Sequence, residues 1–295
     1  MTGRSALLWM THVWDNEIEI EFEKFLHLDY PGSFEVWLII DARTPHAQEI
    51  SCRYERCHII VENELFSRLP YPRLERETLL DHVHFPVLDF YLTHPEYDYY
   101  WVVEFDVRYT GDWGHFFSSF EPFDHDLITS HIRHYHDEPS FGWWCTLHHP
   151  RETIDRARYL RSFNVIYRIS NRALALIDQK QRDGWRGFIE VLFPTLLHIS
   201  GYTLLDFGGD GKFIPAGRKN VSYTSGSTMD GYLNPFCSIR WRPSRSRAGM
   251  RKNTIYHPVK PGSGGQTLEE RIGYFLTWTV NYFREKLNMP LRSYK

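Results

Sequence analysis

The sequence predicts an α/β protein, a single domain in which a mostly parallel central sheet is flanked by helices. Short apolar runs alternate with longer polar stretches in the first half of the chain, a pattern typical of βαβ units. The 295 residues are enough to bury a large core without a disulfide framework or a structural metal. Neither an internal repeat nor a linker divides the chain, which favours one domain over two.

Four nearly continuous apolar runs in the first half are predicted to be strands buried on both faces. A helix is predicted over residues 16–28, where apolar side chains recur at helical spacing among glutamates. A shorter helix is predicted over Phe85–Leu92. The four runs are Ala6–Met10, Val36–Ile40, His58–Val61 and Tyr99–Phe105.

The second half is predicted to continue the sheet and to end in a helix. Residues 186–200 favour a helix broken at Pro194, because proline lacks an amide donor and clashes with the preceding turn. A capping box over residues 267–270 predicts the start of a terminal helix that closes the domain. The predicted strands are Leu127–Ile132, Phe163–Ile169 and Tyr202–Phe207. The apolar stripe of the terminal helix is Leu268, Ile272, Phe275, Leu276, Thr279 and Phe283.

Composition excludes several classes of protein. With 42% hydrophobic and 24% charged residues the chain is not a disordered one. A net charge of -3 and a pI near 6.6 argue against a nucleic-acid binder. No apolar run reaches the roughly 20 residues of a membrane-spanning helix, and no signal peptide is evident, so a cytoplasmic location is expected. The four cysteines form no CxxC pair and are expected to be reduced.

The low net charge hides a basic segment between Gly211 and Leu268. Asp230 is the only acid there, against ten lysines and arginines. A segment of this kind is expected to face an anion.

The clearest local signal is the strand Tyr99–Phe105, which ends in acids. Glu104 and Asp106 are two residues apart, so in an extended chain their side chains lie on the same face. Ligands of open α/β sheets bind at the carboxyl ends of strands. Two carboxylates at such a place suit Mg²⁺ or Mn²⁺. The alternative is a strand end whose acids pair with Arg108 or another base.

Glu104-Phe105-Asp106, about a hundred residues into the chain, resembles the acidic DXD-type motif of the nucleotide-sugar-dependent GT-A glycosyltransferases. That resemblance implies a Rossmann-like fold and a motif that holds a metal and the donor pyrophosphate. Glutamate stands here in place of the first aspartate. The aromatic and acidic strand followed by Arg-Tyr-Thr-Gly is also similar to an uncharacterised group of glycosyltransferase-like sequences.

Two later segments are similar to this family in the same order. Glu190 follows the glycine-containing stretch Gly184–Gly187 at the predicted start of a helix, which is similar to the glycine loop and the acidic motif that supplies the catalytic base. His257, in the segment Ile255–Lys260, resembles the histidine that closes over the metal and diphosphate. The resemblance therefore implies metal ligation by Glu104, Asp106 and His257.

The ends of the early strands complete the implied donor site. Asp41 occupies the place where such enzymes often read a nucleotide base, and Thr11 and His12 end the first strand. The basic run Ile239–Lys260, which carries no acid, would face the donor phosphates. The implied donor-binding residues are Thr11, His12, Asp41, Glu104, Asp106 and Lys260.

The resemblance implies transfer of a sugar from a nucleotide diphosphate, UDP favoured, to a hydroxyl of a glycan or lipid-linked acceptor, with Mn²⁺ or Mg²⁺ as cofactor. Glu190 as the base of a direct displacement would invert the anomeric centre. Residues 1–110 would form the nucleotide-sugar half, 111–265 the acceptor and catalytic half, and 266–295 the terminal helix.

Aromatic residues make up 16% of the chain, and four tryptophans near the predicted site are candidates for stacking on an acceptor sugar. They are Trp113, Trp143, Trp144 and Trp185. Packing in the core is the equal alternative for each of them.

Other hypotheses stay open at this point. Glu190 could merely favour a helix N-terminus, His257 could be a buried structural histidine, and Asp41 could be a turn residue. A glycoside hydrolase using a carboxylate pair, or a non-catalytic carbohydrate-binding protein, would explain the aromatic residues. The rings Tyr274, Trp278 and Tyr282, followed by basic residues, fit either weak peripheral membrane contact or a solvated helix with packed rings.

Overall fold

The computed structural model describes residues 4–28, 34–225, 236–260, 268–287 and 289. The strands are β1 (Ser5–Thr11), β2 (Phe34–Asp41), β3 (Cys57–Ile60), β4 (Tyr99–Glu104), β5 (Arg108–Tyr109), β6 (Leu127–His134), β7 (Leu160–Ser170), β8 (Leu204–Asp206) and β9 (Ile255–Tyr256). The helices are α1 (Asn16–Leu26), α2 (Ala47–Arg53), α3 (Glu62–Arg68), α4 (Phe85–Thr93), α5 (Trp113–Ser118), α6 (Asn171–Asp183), α7 (Ile189–Ile199) and α8 (Leu268–Lys286). Short 3₁₀ turns cover Leu79–His82, Tyr135–Asp137, Trp144–Thr146 and Arg156–Arg158.

Seven strands form one sheet in the order β3-β2-β1-β4-β7-β6-β8. Strand β1 runs parallel to both β2 and β4, β2 is parallel to β3, and β6 is parallel to β8. Strand β7 is antiparallel to its neighbours β4 and β6. The predicted fold class, α/β with a mostly parallel sheet, is confirmed, and the sheet joins strands from both halves of the chain.

Successive side chains of the central strands enter two separate apolar layers, as expected for strands buried on both faces. In β1, Ala6 and Leu8 pack in one layer, whereas Leu7 and Trp9 pack in the other. Helices α4, α6 and α7 cover the first layer, and α1, α2 and α5 cover the second. The buried sheet therefore fixes where its strand ends lie.

Helix α7 differs from the prediction at both its start and its interior. It begins at Ile189, because Arg186 pairs instead with His148 through backbone hydrogen bonds of 2.9 Å in each direction. Pro194 lies inside the helix and does not end it. Every residue from Ile189 to Leu197 is buried, so tertiary packing offsets the hydrogen bond that proline cannot donate.

Helix α8 does not close the domain with its apolar stripe. Ile272, Phe275, Leu276 and Phe283 are 43–59% exposed, whereas Asn281 on another face is fully buried. These four residues of the apolar stripe are thus partly exposed, although the ring of Phe275 packs against Phe236 with centroids 6.1 Å apart. Thr267 of the predicted capping box and the side chains of Leu268, Tyr274, Trp278 and Tyr282 lie outside the described residues. Within the described part of the chain, no helix combines the length and apolarity needed to span a bilayer.

Candidate functional site

Two adjoining cavities open at the carboxyl ends of β1 and β4, where ligands of open α/β sheets bind. The first, of about 430 Å³, has mostly apolar walls beside Asp41. The second, of about 360 Å³, holds Asp106, Glu190 and His257. They form one continuous cleft, because five residues line both. These residues are His12, Leu80, Val83, Glu104 and Phe105.

Glu104, Asp106 and His257 meet in this cleft, and one possible ligand atom from each lies within 4.8 Å of the others. Strand β4 ends at Glu104, and a turn closed by the Val107 amide on the Glu104 carbonyl, at 3.0 Å, carries Asp106. His257 Nε2 lies 3.3 Å from Asp106 Oδ1 and 3.6 Å from Glu104 Oε2. The two acids thus share a site although Asp106 lies beyond the strand.

The His257 ring is oriented by the backbone. Its Nδ1 donates to the carbonyl oxygen of Arg240 at 2.8 Å, which leaves Nε2 facing the carboxylates. A histidine that ligates a metal usually donates its other ring nitrogen in this way.

Charges in the cleft are strongly coupled. Burial alone would lower the pKa of His257, but the charge and hydrogen bonding of Asp106 and Glu104 raise it to about 9. Burial alone would raise the pKa of Asp106, but His257 and Lys260 lower it to about 2. Without a metal, the buried acid is therefore ionised and balanced by a protonated His257.

The donor set fits a hard divalent cation. Asp106 Oδ1 is buried, and among the described residues no donor meets it with good hydrogen-bond geometry; His257 Nε2, 3.3 Å away, acts on it mainly through its charge. Without a metal the protonated His257 neutralises this carboxylate, and a bound divalent cation would take over that role when His257 gives up its proton. Carboxylate oxygens and one imidazole are suitable ligands for Mn²⁺, and Mg²⁺ prefers the carboxylates.

A second acidic group, formed by His149, Glu152 and Asp183, also lies within ligand distance. Both ring nitrogens of His149 are already engaged. Nε2 donates to the Asp183 carbonyl at 2.9 Å, and Nδ1 accepts from the amides of Arg151 and Glu152. That group is a satisfied structural histidine, and it serves below as a control.

Lys260 lies in the second cavity with its Nζ 3.4 Å from Asp106 Oδ2. The backbone holds it there, since the Val259 amide donates to the Asp106 carbonyl at 2.8 Å. Arg108, the other candidate partner of the acids, instead contacts Glu21 at 3.4 Å and donates to the carbonyls of Phe105 and Val107.

Glu190 reaches the same cavity from the first turn of α7 and is 7% exposed. Burial raises its pKa to about 8, and the charges of Glu104 and Glu138 add to the rise, whereas Arg161 and His257 oppose it. A carboxyl group with a pKa near 8 exchanges a proton readily around neutral pH.

The three strand-end residues predicted to bind the donor line the first cavity. Asp41 is held by Arg43, whose Nε and Nη2 donate to its carboxylate at 3.0 and 2.5 Å. Thr11 is 6% exposed, and its hydroxyl accepts from the Val13 amide at 3.1 Å, so it also shapes the turn after β1. His12 packs edge-on against Phe105, with ring centroids 4.9 Å apart.

The basic segment corrects one expectation. Arg218 donates to the Ser119 carbonyl at 2.5 Å, Arg240 to the Pro243 carbonyl at 2.7 Å, and Arg245 to the Cys237 carbonyl at 3.0 Å. An irregular segment has few of the backbone hydrogen bonds found in helices and sheets, so side chains must donate to its buried carbonyl groups. Arg240 and Arg245 thus stabilise the segment itself, and Arg218 ties it to the residue that follows α5. Arg242 and Lys260, by contrast, line the cavity.

The four candidate tryptophans do not line either cavity. Trp113, Trp144 and Trp185 are 6%, 4% and 2% exposed. A ring enclosed by the core has no face to offer a sugar, so the acceptor role predicted for these three is wrong. Trp143 is half-buried, and its ring stacks on that of Phe188 with centroids 4.4 Å apart. Phe188 lines the second cavity, so Trp143 packs behind that wall and does not line the cavity itself.

Sequence reasoning missed several polar or aromatic residues of the cleft, among them Arg43, Asn164 and Trp241. Arg43 could have been found from its place two residues after Asp41. Asn164, in the middle of an apolar strand, was a visible exception to its pattern. Trp241 gave no local signal beyond its place in the basic segment.

Comparisons with known proteins give a partial family match and two structural likenesses. The family described as "Protein of unknown function (DUF3405)" matches residues 28–128. None of the curated proteins with which the sequence was compared matches it.

The structural likenesses are at low sequence identity. Mouse xyloside xylosyltransferase 1, in its apo form, is 12% identical with a TM-score of 0.37, over 70% of this chain and 88% of that one. Mannosyltransferase PcManGT from Pyrobaculum calidifontis, in complex with GDP-Man and Mn2+, is 11% identical with a TM-score of 0.44. That likeness covers 98% of this chain and 66% of the mannosyltransferase chain. At these TM-scores neither structure identifies a substrate or a catalytic residue here.

Proposed function

We propose that this protein is a glycosyltransferase that moves a sugar from a nucleoside diphosphate, UDP favoured, to a hydroxyl of a glycan or lipid-linked acceptor. One observation carries the proposal. Glu104, Asp106 and His257 converge at a strand edge, and a buried carboxyl group with a raised pKa, Glu190, lies in the same cavity. A candidate cation site and a candidate proton acceptor thus lie side by side.

Glu104, Asp106 and His257 are the residues that would hold Mn²⁺ or Mg²⁺, which when bound supplies positive charge for the departing diphosphate. Lys260 adds a fixed cation beside Asp106 and would pair with a phosphate oxygen. The nucleoside would lie in the first cavity, where Asp41 offers a carboxylate to base or ribose and apolar walls cover the ring.

Glu190 would accept the proton of the acceptor hydroxyl as that oxygen attacks the anomeric carbon. Removal of that proton raises the charge on the attacking oxygen, a contribution of roughly 10² to 10⁴ in rate. Attack from the face opposite the leaving diphosphate inverts the anomeric centre.

Thermal unfolding with UDP, GDP, CDP and TDP, each with and without Mn²⁺, tests the donor site. A nucleotide at about 100 times its Kd should stabilise the protein by ~2.7 kcal/mol, and the UDP shift should require Mn²⁺. Asp183→Asn, in the satisfied histidine group, is the matched control and should keep the shift. If no nucleotide stabilises the protein, the transferase proposal is wrong and a hydrolase or a lectin is favoured.

We also propose weak contact of α8 with a membrane surface. Its apolar stripe is partly exposed, and the sequence that follows carries Arg292 and Lys295, which would favour anionic lipid. The protein should co-sediment with vesicles that contain phosphatidylserine, and the double change Ile272→Ser with Leu276→Ser should abolish this co-sedimentation. Val221→Ser, at an exposed apolar residue elsewhere, is the control. Equal co-sedimentation of all variants would contradict this contact.

A further inference from the structure

A five-residue loop, Arg240–Ser244, is held rigidly against the segment that carries His257. Backbone bridges on either side of it pair Ile239 with His257 and Arg245 with Val259. The Arg240 amide donates to the His257 carbonyl at 3.1 Å, and the Arg245 amide donates to the Pro258 carbonyl at 2.9 Å. The loop therefore bulges between two fixed points directly beside the three candidate metal ligands.

Within this loop the side chain of Trp241 lines the second cavity and is 41% exposed. The guanidinium carbon of Arg242 lies 4.7 Å from the centre of its ring, which restrains the orientation of the indole. Large exposed aromatic side chains in a concave site are typical of ligand contacts rather than of core packing.

Asn164, a buried polar residue, also lines the second cavity. The side chain is 6% exposed, and its Oδ1 accepts from Ser162 and Thr129 at 2.6 and 2.9 Å. Its Nδ2 is buried and has no hydrogen-bond partner among the described residues. A buried amide donor without a partner costs free energy, so this part of the cavity wall keeps a polar group that packing alone does not favour.

We infer that Trp241 is the platform of a saccharide subsite in the second cavity, in which a pyranose packs its C–H face on the indole and the Asn164 side chain forms part of the polar wall. Arg242 and Ser244, which also line the cavity, are further donors for hydroxyls. The subsite lies in the cavity that holds Glu190, so the sugar bound there is the acceptor. Its assignment as acceptor, though not the binding itself, rests on the proposed function.

Saturation-transfer NMR with the methyl pyranosides of glucose, galactose, mannose, xylose and N-acetylglucosamine tests the subsite, with and without UDP and Mn²⁺. At least one pyranoside should bind, and its C–H protons should shift upfield through the ring current of the indole. Trp241→Leu should weaken that binding about tenfold, as expected for loss of one aromatic platform. Trp241→Phe, which keeps a ring, should weaken it less.

Phe236→Leu is the matched control, because Phe236 is a 66% exposed ring on the same segment that lines neither cavity. It should leave pyranoside binding unchanged. Equal affinity of Trp241→Leu and the wild type, or no binding of any pyranoside, overturns the subsite. The upfield shift is measured on the unaltered protein, so the test does not depend on a variant folding.

The two proposals fail separately. If pyranosides bind through Trp241 but no nucleotide binds, the saccharide subsite stands and the transferase proposal is wrong. If UDP binds with Mn²⁺ while Trp241→Leu binds pyranosides normally, only the subsite is wrong.

Discussion

Ionisation of Glu190 should make the protein less stable as the pH rises. Its pKa in the folded state is raised from 4.5 to about 8, chiefly by burial. Between these values the folded protein keeps a proton that the unfolded chain has lost, so stability falls with rising pH. The stabilisation is complete below pH 4.5 and is lost as the pH rises through 8.

The change Glu190→Gln removes this titration and nearly keeps the shape of the side chain. Each pH unit of unequal proton binding is worth about 1.36 kcal/mol. From pH 6 to pH 8 the free energy of unfolding of the wild type should therefore fall, relative to the variant, by roughly 2 kcal/mol. Urea denaturation at both pH values, in EDTA so that both proteins are metal-free, measures the difference.

Any fixed cost of burying the amide cancels, because only the change with pH is compared. Glu55→Gln, at an 87% exposed glutamate, should track the wild type at both pH values. A gap between Glu190→Gln and the wild type that is the same at pH 6 and pH 8 would refute the raised pKa. Glu190→Gln should also lose transfer while it keeps UDP binding, so near-normal turnover would remove Glu190 from the role of base.

Four further substitutions distinguish residues of the candidate site from residues that stabilise the fold. Asp106→Asn should make UDP binding insensitive to Mn²⁺ in calorimetry, and a persisting Mn²⁺ effect would rule out the cation site. Arg245→Ala should lower the free energy of unfolding by about 1–3 kcal/mol and leave the UDP affinity unchanged. Lys260→Ala should weaken UDP binding with little change in stability. The reverse pattern would contradict the assignment of Arg245 to the fold and of Lys260 to the donor site. Trp113→Ala should cost roughly 3–5 kcal/mol in chemical denaturation, and a stable variant with a raised KM for the acceptor would restore Trp113 to the cleft.

The sheet and its acidic edge could be predicted because their signals are local. A strand buried on both faces is visible as an apolar run, and Glu104 and Asp106 are visible as its abrupt end. Nothing local places His257 beside them. Its position depends on backbone pairing between segments about 150 residues apart, with the Val259 amide on the Asp106 carbonyl. Only the resemblance of its segment to a known family indicated this residue.

The incorrect site predictions arose mainly because the sequence does not show in which direction a side chain points. Trp113 begins helix α5 after the N-cap Asp112, and its ring packs on Phe117, one helical turn later, and on Phe25, which is far away in the sequence. Composition shows that a ring is present but not which way it points. In the same way, the positive charge of Arg240 is visible in the sequence, but the carbonyl group that receives its hydrogen bond is not.

The pairing of the His257 segment with the turn after β4 has a consequence for biosynthesis. The last strand of the main sheet ends at Asp206, so every strand of that sheet has left the ribosome before the residues that bring His257 and Lys260 to it. Glu104 and Asp106 can therefore be positioned by the sheet before the segment that carries His257 and Lys260 forms its side of the cleft. The order of synthesis therefore allows the sheet to assemble first, and the candidate site would be complete only after the late segment docks on it.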